Sequence, residues 1–285
     1  MEQRINIITT VEPQKSEWKS ILLVLSLKAF CQDPHRIFLY LPRGEAAALK
    51  EETRRFYEHA GVELQEVEID PELGGKWAMK VIAVRQERPQ GEVGVYLNPD
   101  TFLIKPLSFR AIYAQGRPGL VPADTSFWGS DEEWQKLYEK FKLPAPSKSF
   151  MLNSGELFYP LYKSGIVLFG ERTAFQYLWH AVARRIVSDK LIRNGFRYID
   201  RISLSVAAQY YEKEPVRLHE MYCYNVAAGA CAKAKLVQYA YPKSILNYKM
   251  RLAVAEDLVK KSGLFSSFEE FLRFFGVQID QKVKG

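Results

Sequence analysis

The N-terminal third of the chain alternates short apolar runs with longer stretches in which apolar residues recur every three or four positions. The short runs are typical of strands, and the periodic stretches are typical of helices that cover a sheet. This order of elements predicts βαβ units. We therefore expect an α/β fold with a mostly parallel sheet flanked by helices.

Individual elements can be assigned along most of the chain. Strands are predicted at residues 4–10, 36–41, 62–69, 93–97, 119–121 and 164–170, and helices at residues 15–30, 45–60, 76–87, 131–141, 171–192 and 201–211. Residues 143–163 are expected to form an irregular excursion. Two further helices, at residues 251–261 and 267–275, are predicted to end the chain, the second with a capping-box pattern at Ser267 and Glu270.

The 285 residues, 47% of them hydrophobic, are sufficient for a large core. We find no internal repeat and no linker, and we expect one domain at residues 1–250 with a helical tail at residues 251–285 packed on it. The odd number of cysteines argues against a disulfide framework. No signal-peptide pattern and no apolar run near 20 residues is present, which predicts a cytoplasmic protein, peripheral to a membrane at most.

A net charge of +7 favours anionic ligands. The basic residues are scattered and no nucleic-acid-binding motif accompanies them, so we expect no nucleic-acid partner. The charge is compatible with phosphate-bearing substrates.

The tripeptide Asn98-Pro99-Asp100 ends the predicted strand at residues 93–97. Open parallel sheets bind ligands beyond the carboxyl ends of their strands, so a polar tripeptide in this position is a candidate substrate site. Asparagine, proline and aspartate are also common turn residues, and an ordinary turn is the competing interpretation.

Four segments, in order, resemble the GT-A glycosyltransferases, particularly the glycogenin-like and lipopolysaccharide galactosyltransferase-like families. The most specific is residues 95–107 (VYLNPDTFLIKPL), which resembles the family strand Leu-Tyr-Leu-Asp-x-Asp-Thr-x-Val-x-x-Pro-Leu. The others are residues 7–11 (IITTV), 162–169 (YKSGIVLF) and 198–204 (YIDRISL). Residues 245–248 (ILNY) are similar to the strand that carries a metal-binding His-Tyr pair. The resemblance implies a GT-A-type, Rossmann-like fold.

The resemblance also implies a nucleotide diphosphate sugar as donor and an acceptor that it does not identify. The implied nucleotide- and donor-binding residues are Thr9, Thr10, Val11, Lys76, Lys80, Asn98, Asp100, Lys163, Ser164, Gly165 and Lys249. The implied catalytic residues are Asp200 and Asp100. Lys76 and Lys80 lie one turn apart on the predicted helix and could reach a diphosphate, although most lysines are only solvated.

The motif that binds metal in a typical member is degenerate in this chain. Two aspartates and a histidine hold Mn²⁺ or Mg²⁺ in the family, whereas Asn98 and Asn247 replace one aspartate and the histidine here, which leaves Asp100. An amide oxygen is a weaker ligand than a carboxylate. Three alternatives stay open: weak metal binding by these three residues, metal-free catalysis with Lys76, Lys80 or Lys249 stabilising the leaving group, and lost catalysis.

Asp200 also has two interpretations, because an aspartate just before a helical pattern is a good N-cap. As a general base for an acceptor hydroxyl it competes with Asp124 and Glu156. The leading hypothesis is a hexosyltransferase-like enzyme with weak or no metal dependence. The alternative is a catalytically degenerate GT-A-like domain that binds a glycan or a protein. An oxidoreductase is disfavoured because no G-x-G-x-x-G follows an early strand.

Overall fold

The computed structural model describes residues 4–73, 75–114, 116–171, 173–192, 196–225 and 231–278, without the side chains of Lys76 and Trp77. Its strands are β1 (Ile5–Thr10), β2 (His35–Pro42), β3 (Val62–Val67), β4 (Val93–Leu97), β5 (Thr101–Leu103), β6 (Gly119–Pro122), β7 (Phe150–Met151), β8 (Leu157–Phe158), β9 (Tyr162–Gly170), β10 (Val216–Arg217), β11 (Tyr224–Asn225) and β12 (Leu236–Gln238). Its α-helices are α1 (Glu17–Phe30), α2 (Glu51–His59), α3 (Met79–Arg85), α4 (Phe109–Ile112), α5 (Asp131–Lys140), α6 (Phe175–Ser188), α7 (Ile199–Tyr210), α8 (Lys243–Leu246), α9 (Lys249–Lys261) and α10 (Phe268–Phe274).

The central sheet has seven strands in the order β10-β6-β9-β4-β1-β2-β3. Parallel pairing joins β4, β1, β2 and β3, and β10 is parallel to β6. The predicted α/β fold with a mostly parallel sheet is therefore confirmed, as is the helical C-terminal region. A second, three-stranded sheet has the order β11-β12-β5.

The strand β9 is the exception in the central sheet, because it runs antiparallel to both of its neighbours, β4 and β6. Its register with β4 sets Ile166 opposite Leu97, the last residue of β4. The first residues of β9 consequently lie beside the carboxyl end of β4. Two segments that are far apart in sequence thus meet at the edge where a parallel sheet binds ligands.

Both faces of the sheet are covered by apolar side chains. Alternate strand residues such as Ile7 and Val95 pack with α1, α9 and α10, whereas Ile8 and Tyr96 belong to the core shared with α3, α6 and α7. This alternation follows from the two-residue period of a strand. The strands β1, β2 and β4 are buried along most of their length because both faces of the sheet are covered there, whereas the edge strand β3 is buried only at its two ends.

The predicted helix at residues 45–60 is divided into a 3₁₀ turn and α2. The position of Glu17 explains this division. Its fully buried carboxylate accepts hydrogen bonds from the backbone N–H of Lys50 at 3.1 Å and from the hydroxyl of Thr53 at 2.6 Å. These two groups belong to the N-terminus of α2, where backbone donors lack helical partners. A residue of α1 therefore fixes the start of α2, which a 3₁₀ turn at Ala46–Ala48 precedes.

Other segments differ from their predictions. Ile245 and Leu246 end α8, Asn247 is the C-cap of that helix and Tyr248 is the N-cap of α9, so the predicted strand at residues 245–248 is wrong. The excursion at residues 143–163 contains the short hairpin of β7 and β8. Ser267 caps α10 by accepting from the N–H of Glu270, but the Glu270 carboxylate bonds to Ser266, so the capping box forms only in part.

The phenylalanines near the end of the chain belong to the same core cluster as residues of β1 and β4. Phe268 and Phe271 are fully buried in the core cluster that also contains α1. The Lys50 ammonium lies 4.3 Å from the centroid of the Phe274 ring, a cation–π contact that ties this region to the N-terminus of α2. No described helix is both long and apolar enough to cross a membrane.

A buried ion pair joins the segment after α3 to the end of β9. Arg88 Nε donates to Glu171 Oε1 at 3.0 Å, and the two side chains are only 2% and 7% exposed. Gly94 leaves space for this ion pair. A Cβ at position 94 would lie 2.8 Å from Glu171 Oε1 and closer still to the Phe169 ring. Removing one partner of a buried ion pair leaves the other charge buried without compensation.

We therefore expect Glu171→Gln to destabilise the protein by about 3 kcal/mol, since Arg88 keeps its charge and its burial. Urea denaturation at neutral pH would measure the loss. The matched control is Asp257→Asn, because Asp257 pairs with Lys261 at 2.7 Å on an exposed face and its neutralisation should hardly move the midpoint. Equal midpoints for the two variants would contradict the role of the buried pair.

Candidate active site at the carboxyl edge of the sheet

The turn that follows β4 is closed by Asn98 and Thr101. The N–H of Thr101 donates to the carbonyl of Asn98 at 3.1 Å, and the Thr101 hydroxyl donates to the same oxygen at 2.7 Å. The N–H of Asn98 in turn donates to the carbonyl of Gly165 on β9 at 2.9 Å. The predicted turn at Asn98-Pro99-Asp100 is present, and it is fastened to the start of β9.

Lys80, Ser164 and Asp200 form a hydrogen-bonded cluster beside this turn. The Lys80 ammonium donates to Asp200 Oδ2 at 2.5 Å and to the Ser164 hydroxyl at 2.8 Å, and that hydroxyl donates to Asp200 Oδ2 at 2.6 Å. The lysine comes from α3, the serine from β9 and the aspartate from α7. Three predicted site residues, separated by up to 120 positions, thus meet at one point.

The ion pair determines the charge of Asp200. Burial opposes ionisation, but the positive charge of Lys80 and the hydrogen bonds from Lys80 and Ser164 outweigh it and lower the pKa of the Asp200 carboxyl. The N-cap interpretation of Asp200 is wrong, because α7 has Tyr198 at its N-cap position and Asp200 lies inside the first turn. Its side chain pairs with a lysine, where an N-cap aspartate would accept from backbone N–H groups.

Asp100 lies at the same edge in a different electrostatic setting. Its carboxylate accepts from Gln238 Nε2 at 3.3 and 3.4 Å, and its carbonyl accepts from the N–H of Tyr239 at 2.9 Å. Burial raises the pKa of the Asp100 carboxyl, although the positive charges of Lys19 and Lys80 act against this rise. Asp100 and Asp200 are therefore shifted in opposite directions, as in sites where two carboxyls have different roles.

Gly165 is required by close packing between β9 and β12. A Cβ at this position would lie 2.7 Å from the sulfur of Cys223 and 2.8 Å from Gln238 Oε1. The same Gln238 side chain donates to Asp100. Gly165 thus allows the glutamine to reach the aspartate. Burial raises the pKa of Cys223 to about 12, which keeps its thiol neutral at physiological pH.

Lys163 and Asp124 form a second ion pair near the start of β9. Lys163 Nζ lies 2.8 Å from Asp124 Oδ2, and the two side chains are 13% and 34% exposed. Asp124, one of the three candidate bases, is therefore paired with a neighbouring cation that offsets its negative charge. Glu156, another candidate, is exposed in the turn between β7 and β8.

The predicted nucleotide-binding residues Thr9, Thr10 and Val11 lie at the carboxyl end of β1, next to β4. The side chain of Thr10 approaches the buried hydroxyl of Tyr96, which donates to Asn98 Oδ1 at 3.1 Å. The Thr9 hydroxyl is buried and has no hydrogen-bond partner among the described residues. Val11 is buried, and its N–H donates to the carbonyl of Tyr40.

Two of the predicted site residues are exposed and stand outside the hydrogen-bonded group described above. Asn247 is exposed at the end of α8, and Lys249 is exposed at the first position of α9. In the described part of the chain, neither residue has a hydrogen bond or an ion pair with Asn98 or Asp100. Lys76 lies in the 3₁₀ turn before α3, and its side chain is outside the described residues.

The implied metal ligands fit a resident divalent cation poorly. Within the described ranges, no three histidine, cysteine, aspartate or glutamate side chains gather to hold a metal ion. The amide oxygen of Asn98 already accepts from Tyr96, and Asn247 is on α8. Asp100 is then the only carboxylate of the implied set, and it is close enough to Lys19 and Lys80 to sense their positive charge. Divalent cations favour several oxygen ligands without competing cations.

Three residues at this edge were not predicted from the sequence. Lys19 lies on α1, where its ammonium bonds to the carbonyl of Ala240 at 3.3 Å. Gln238 and Cys223 come from residues 216–248, a segment with no pattern that assigns its elements. No local pattern distinguishes Lys19 from Lys28, the other lysine of α1, as a residue of this site.

Comparison with known proteins adds one match. A family model described as a Rhodobacterales glycosyltransferase domain matches residues 7–212, more than half of the chain. The matched region extends from β1 to just beyond α7 and includes Lys80, Ser164 and Asp200. No curated protein matches the chain.

Lys80→Met should destabilise the protein by about 3 kcal/mol near pH 7, because it leaves the Asp200 carboxylate buried without its cation. The wild-type pKa of Asp200 is lowered, so its contribution to stability is complete above the unfolded value, about 3.9, and is lost as pH falls through the folded pKa. Without the lysine this pKa should rise, and protonation should reduce the deficit as pH approaches about 5. Urea denaturation at both pH values measures this effect.

The double variant Lys80→Met/Asp200→Asn is the control, since it removes both charges and should recover much of the lost stability. A deficit that does not change between the two pH values, or that grows in acid, would contradict the assignment of the pair.

Gly165→Ala should destabilise the protein by about 1–3 kcal/mol, because the added methyl group overlaps with Cys223 and Gln238. Thermal unfolding would measure the loss. Adding Cys223→Ala removes one of the two overlapping groups and should restore part of the midpoint. A single variant as stable as the wild type would show that this edge tolerates a side chain at position 165.

Proposed function

Since the chain belongs to the Rhodobacterales glycosyltransferase domain family, we propose that it moves a hexose from a nucleotide diphosphate sugar to an acceptor hydroxyl on a GT-A-type fold. The donor would lie at the carboxyl edge of the central sheet, over the turn at Asn98-Pro99-Asp100. The single observation that carries this proposal is the meeting of Lys80, Ser164 and Asp200 beside that turn. The resemblance of residues 95–107 to the family strand supports it independently.

The leaving nucleotide diphosphate requires positive charge at the site. Lys80 approaches from α3, Lys19 from α1, and both act electrostatically on Asp100 at the end of the turn. Fixed cations stabilise developing charge without having to reorganise during the reaction. We assign this role to Lys80 and Lys19, with Lys76 and Lys249 as the further cations predicted from the sequence.

The two aspartates suit different parts of the reaction. Lys80 and Ser164 both bond to Oδ2 of Asp200, so Oδ1 is the oxygen available to orient an acceptor hydroxyl or to accept its proton. We therefore propose Asp200 as the residue that faces acceptor and sugar, and Asp100 as the carboxylate beside the donor.

We propose further that the reaction depends weakly, or not at all, on a divalent cation. The support is the poor fit of Asp100, Asn98 and Asn247 to a resident ion, together with the lysines that surround Asp100. Any cation that takes part would be held largely by the diphosphate of the donor.

A thermal-shift series with UDP, GDP, CMP and their sugar conjugates tests the donor. At a concentration 100 times its Kd, a bound nucleotide adds about 2.7 kcal/mol of stability, which is a shift of several degrees. The shift should persist when EDTA replaces Mn²⁺, and Lys80→Gln or Lys19→Gln should reduce it. Lys136→Gln is the control, because Lys136 is exposed and its ion pair among the described residues is with Glu132 on its own helix.

If none of the nucleotides stabilises the protein, the proposal is rejected. A thermal shift that disappears entirely in EDTA would reject the metal-independent form of the proposal.

A measurement of donor hydrolysis distinguishes an active enzyme from a domain that only binds. Asp100→Ala should abolish slow donor hydrolysis while the exposed Asp189→Ala leaves it intact. Nucleotide binding without any turnover would favour the degenerate binding domain.

A further inference from the structure

A cavity of about 230 Å³ lies along α7, on the side of the sheet that also carries α5. Its walls include Tyr138 of α5, Tyr162 of β9, and Ser205, Ala208 and Gln209 of α7. None of these residues takes part in the cluster of Lys80, Ser164 and Asp200. The cavity is therefore separate from the proposed donor site.

Two elements, β9 and α7, contribute residues both to the cavity and to the cluster. They determine where the cavity lies relative to the proposed donor site. Tyr162 precedes Ser164 by two residues on β9, so their side chains leave the same face about 7 Å apart. Ser205 follows Asp200 by five residues on α7, which is about 7.5 Å along the helix axis. Along β9 the cavity thus begins about 7 Å from the cluster, while on α7 Ser205 is rotated by about 140° from Asp200.

The cavity contains polar groups suited to a ligand. Tyr138 is fully buried, and its hydroxyl has no hydrogen-bond partner among the described residues. A buried polar group left unpaired costs about 1–3 kcal/mol, so a ligand that reached this hydroxyl from the cavity would relieve that cost. Gln209, Glu214 and Arg217 also line the cavity and are exposed, and they offer both donors and acceptors.

Aromatic rings form the apolar part of the lining, and other rings hold them in place. Tyr162 packs edge-on against Phe150, with ring centroids 5.3 Å apart, and Tyr211 packs edge-on against Phe175 at 5.4 Å. Fixed aromatic faces beside a few hydrogen-bonding groups suit a ligand that has an apolar face and a polar rim. The C–H face and hydroxyl rim of a pyranose match this description.

We propose that this cavity is a subsite for one neutral pyranose ring of a saccharide acceptor, an inference that rests on the proposed glycosyl transfer. The volume favours one ring, because pockets for drug-sized ligands measure roughly 300–1,000 Å³. The charges of Glu214 and Arg217 offset each other at a separation of 4.0 Å, which favours a neutral sugar over an anionic one. Asp200 lies on the same helix as Ser205, five residues closer to the N-terminus of α7.

Saturation-transfer NMR with the full chain and the methyl pyranosides of glucose, galactose, mannose and N-acetylglucosamine tests the subsite. At least one of the four should bind. Gln209→Ala and Tyr138→Phe should each weaken binding about fivefold through a lost hydrogen bond, and Ala208→Leu should abolish it by filling the cavity. Tyr138→Phe is the most informative variant, because a purely structural tyrosine would gain stability on losing an unpaired hydroxyl and leave sugar binding unchanged.

Tyr210→Ala is the control, since Tyr210 is 48% exposed on the same helix and is outside the cavity lining. Sugar binding that the Gln209 and Tyr138 substitutions leave unchanged would overturn the subsite, and so would failure of all four glycosides to bind. Nucleotide stabilisation is measured on the same samples. If it persists while sugar binding fails, the subsite is wrong and the proposed donor site stands; if nucleotide binding alone fails, the proposed function is wrong and the saccharide site stands.

Discussion

The antiparallel insertion of β9 between β4 and β6 is the constraint on which the candidate site depends. A strand parallel to β4 would carry Ser164 and Gly165 to the opposite edge of the sheet. Because β9 runs the other way, with Ile166 opposite Leu97, its first residues lie beside the turn at Asn98. The site therefore comes from strand direction as much as from the residues themselves.

Ion pairs lie along the edge of the sheet at which β9 begins. Asp200 faces Lys80 and Asp124 faces Lys163, while Asp100 senses Lys19 and Lys80. The carboxylates of Asp200 and Asp124 are thus paired in a partly buried setting where an isolated charge would be unfavourable, whereas burial outweighs the two lysines at Asp100. The same arrangement holds cations at a sheet edge suited to phosphate, which is why an anionic donor can be proposed with little reliance on a metal ion. It also separates the pKa values of Asp100 and Asp200.

The central elements were predictable because each one carries its own local pattern. The strand Val93–Leu97 was predicted with its observed bounds, and the helix α1 begins two residues after its predicted start. The start of α2 was not predictable, because the buried carboxylate of Glu17 on another helix fixes it. Residues 245–248 were misassigned as a strand because a short apolar run fits either state and a local resemblance decided between them.

The sequence by itself determined the fold class and indicated a polar turn or site at the end of the strand Val93–Leu97, since periodicity and turn chemistry act over a few neighbouring residues. It also placed Lys80, Ser164 and Asp200 among the site candidates. Only the tertiary structure decided that these three form one cluster, that Gln238 and Lys19 act on Asp100, and that Asn247 caps the C-terminus of α8. The physical reason is that strand direction and register join segments more than 100 positions apart, as Lys80 and Asp200 are, and no local pattern encodes such contacts.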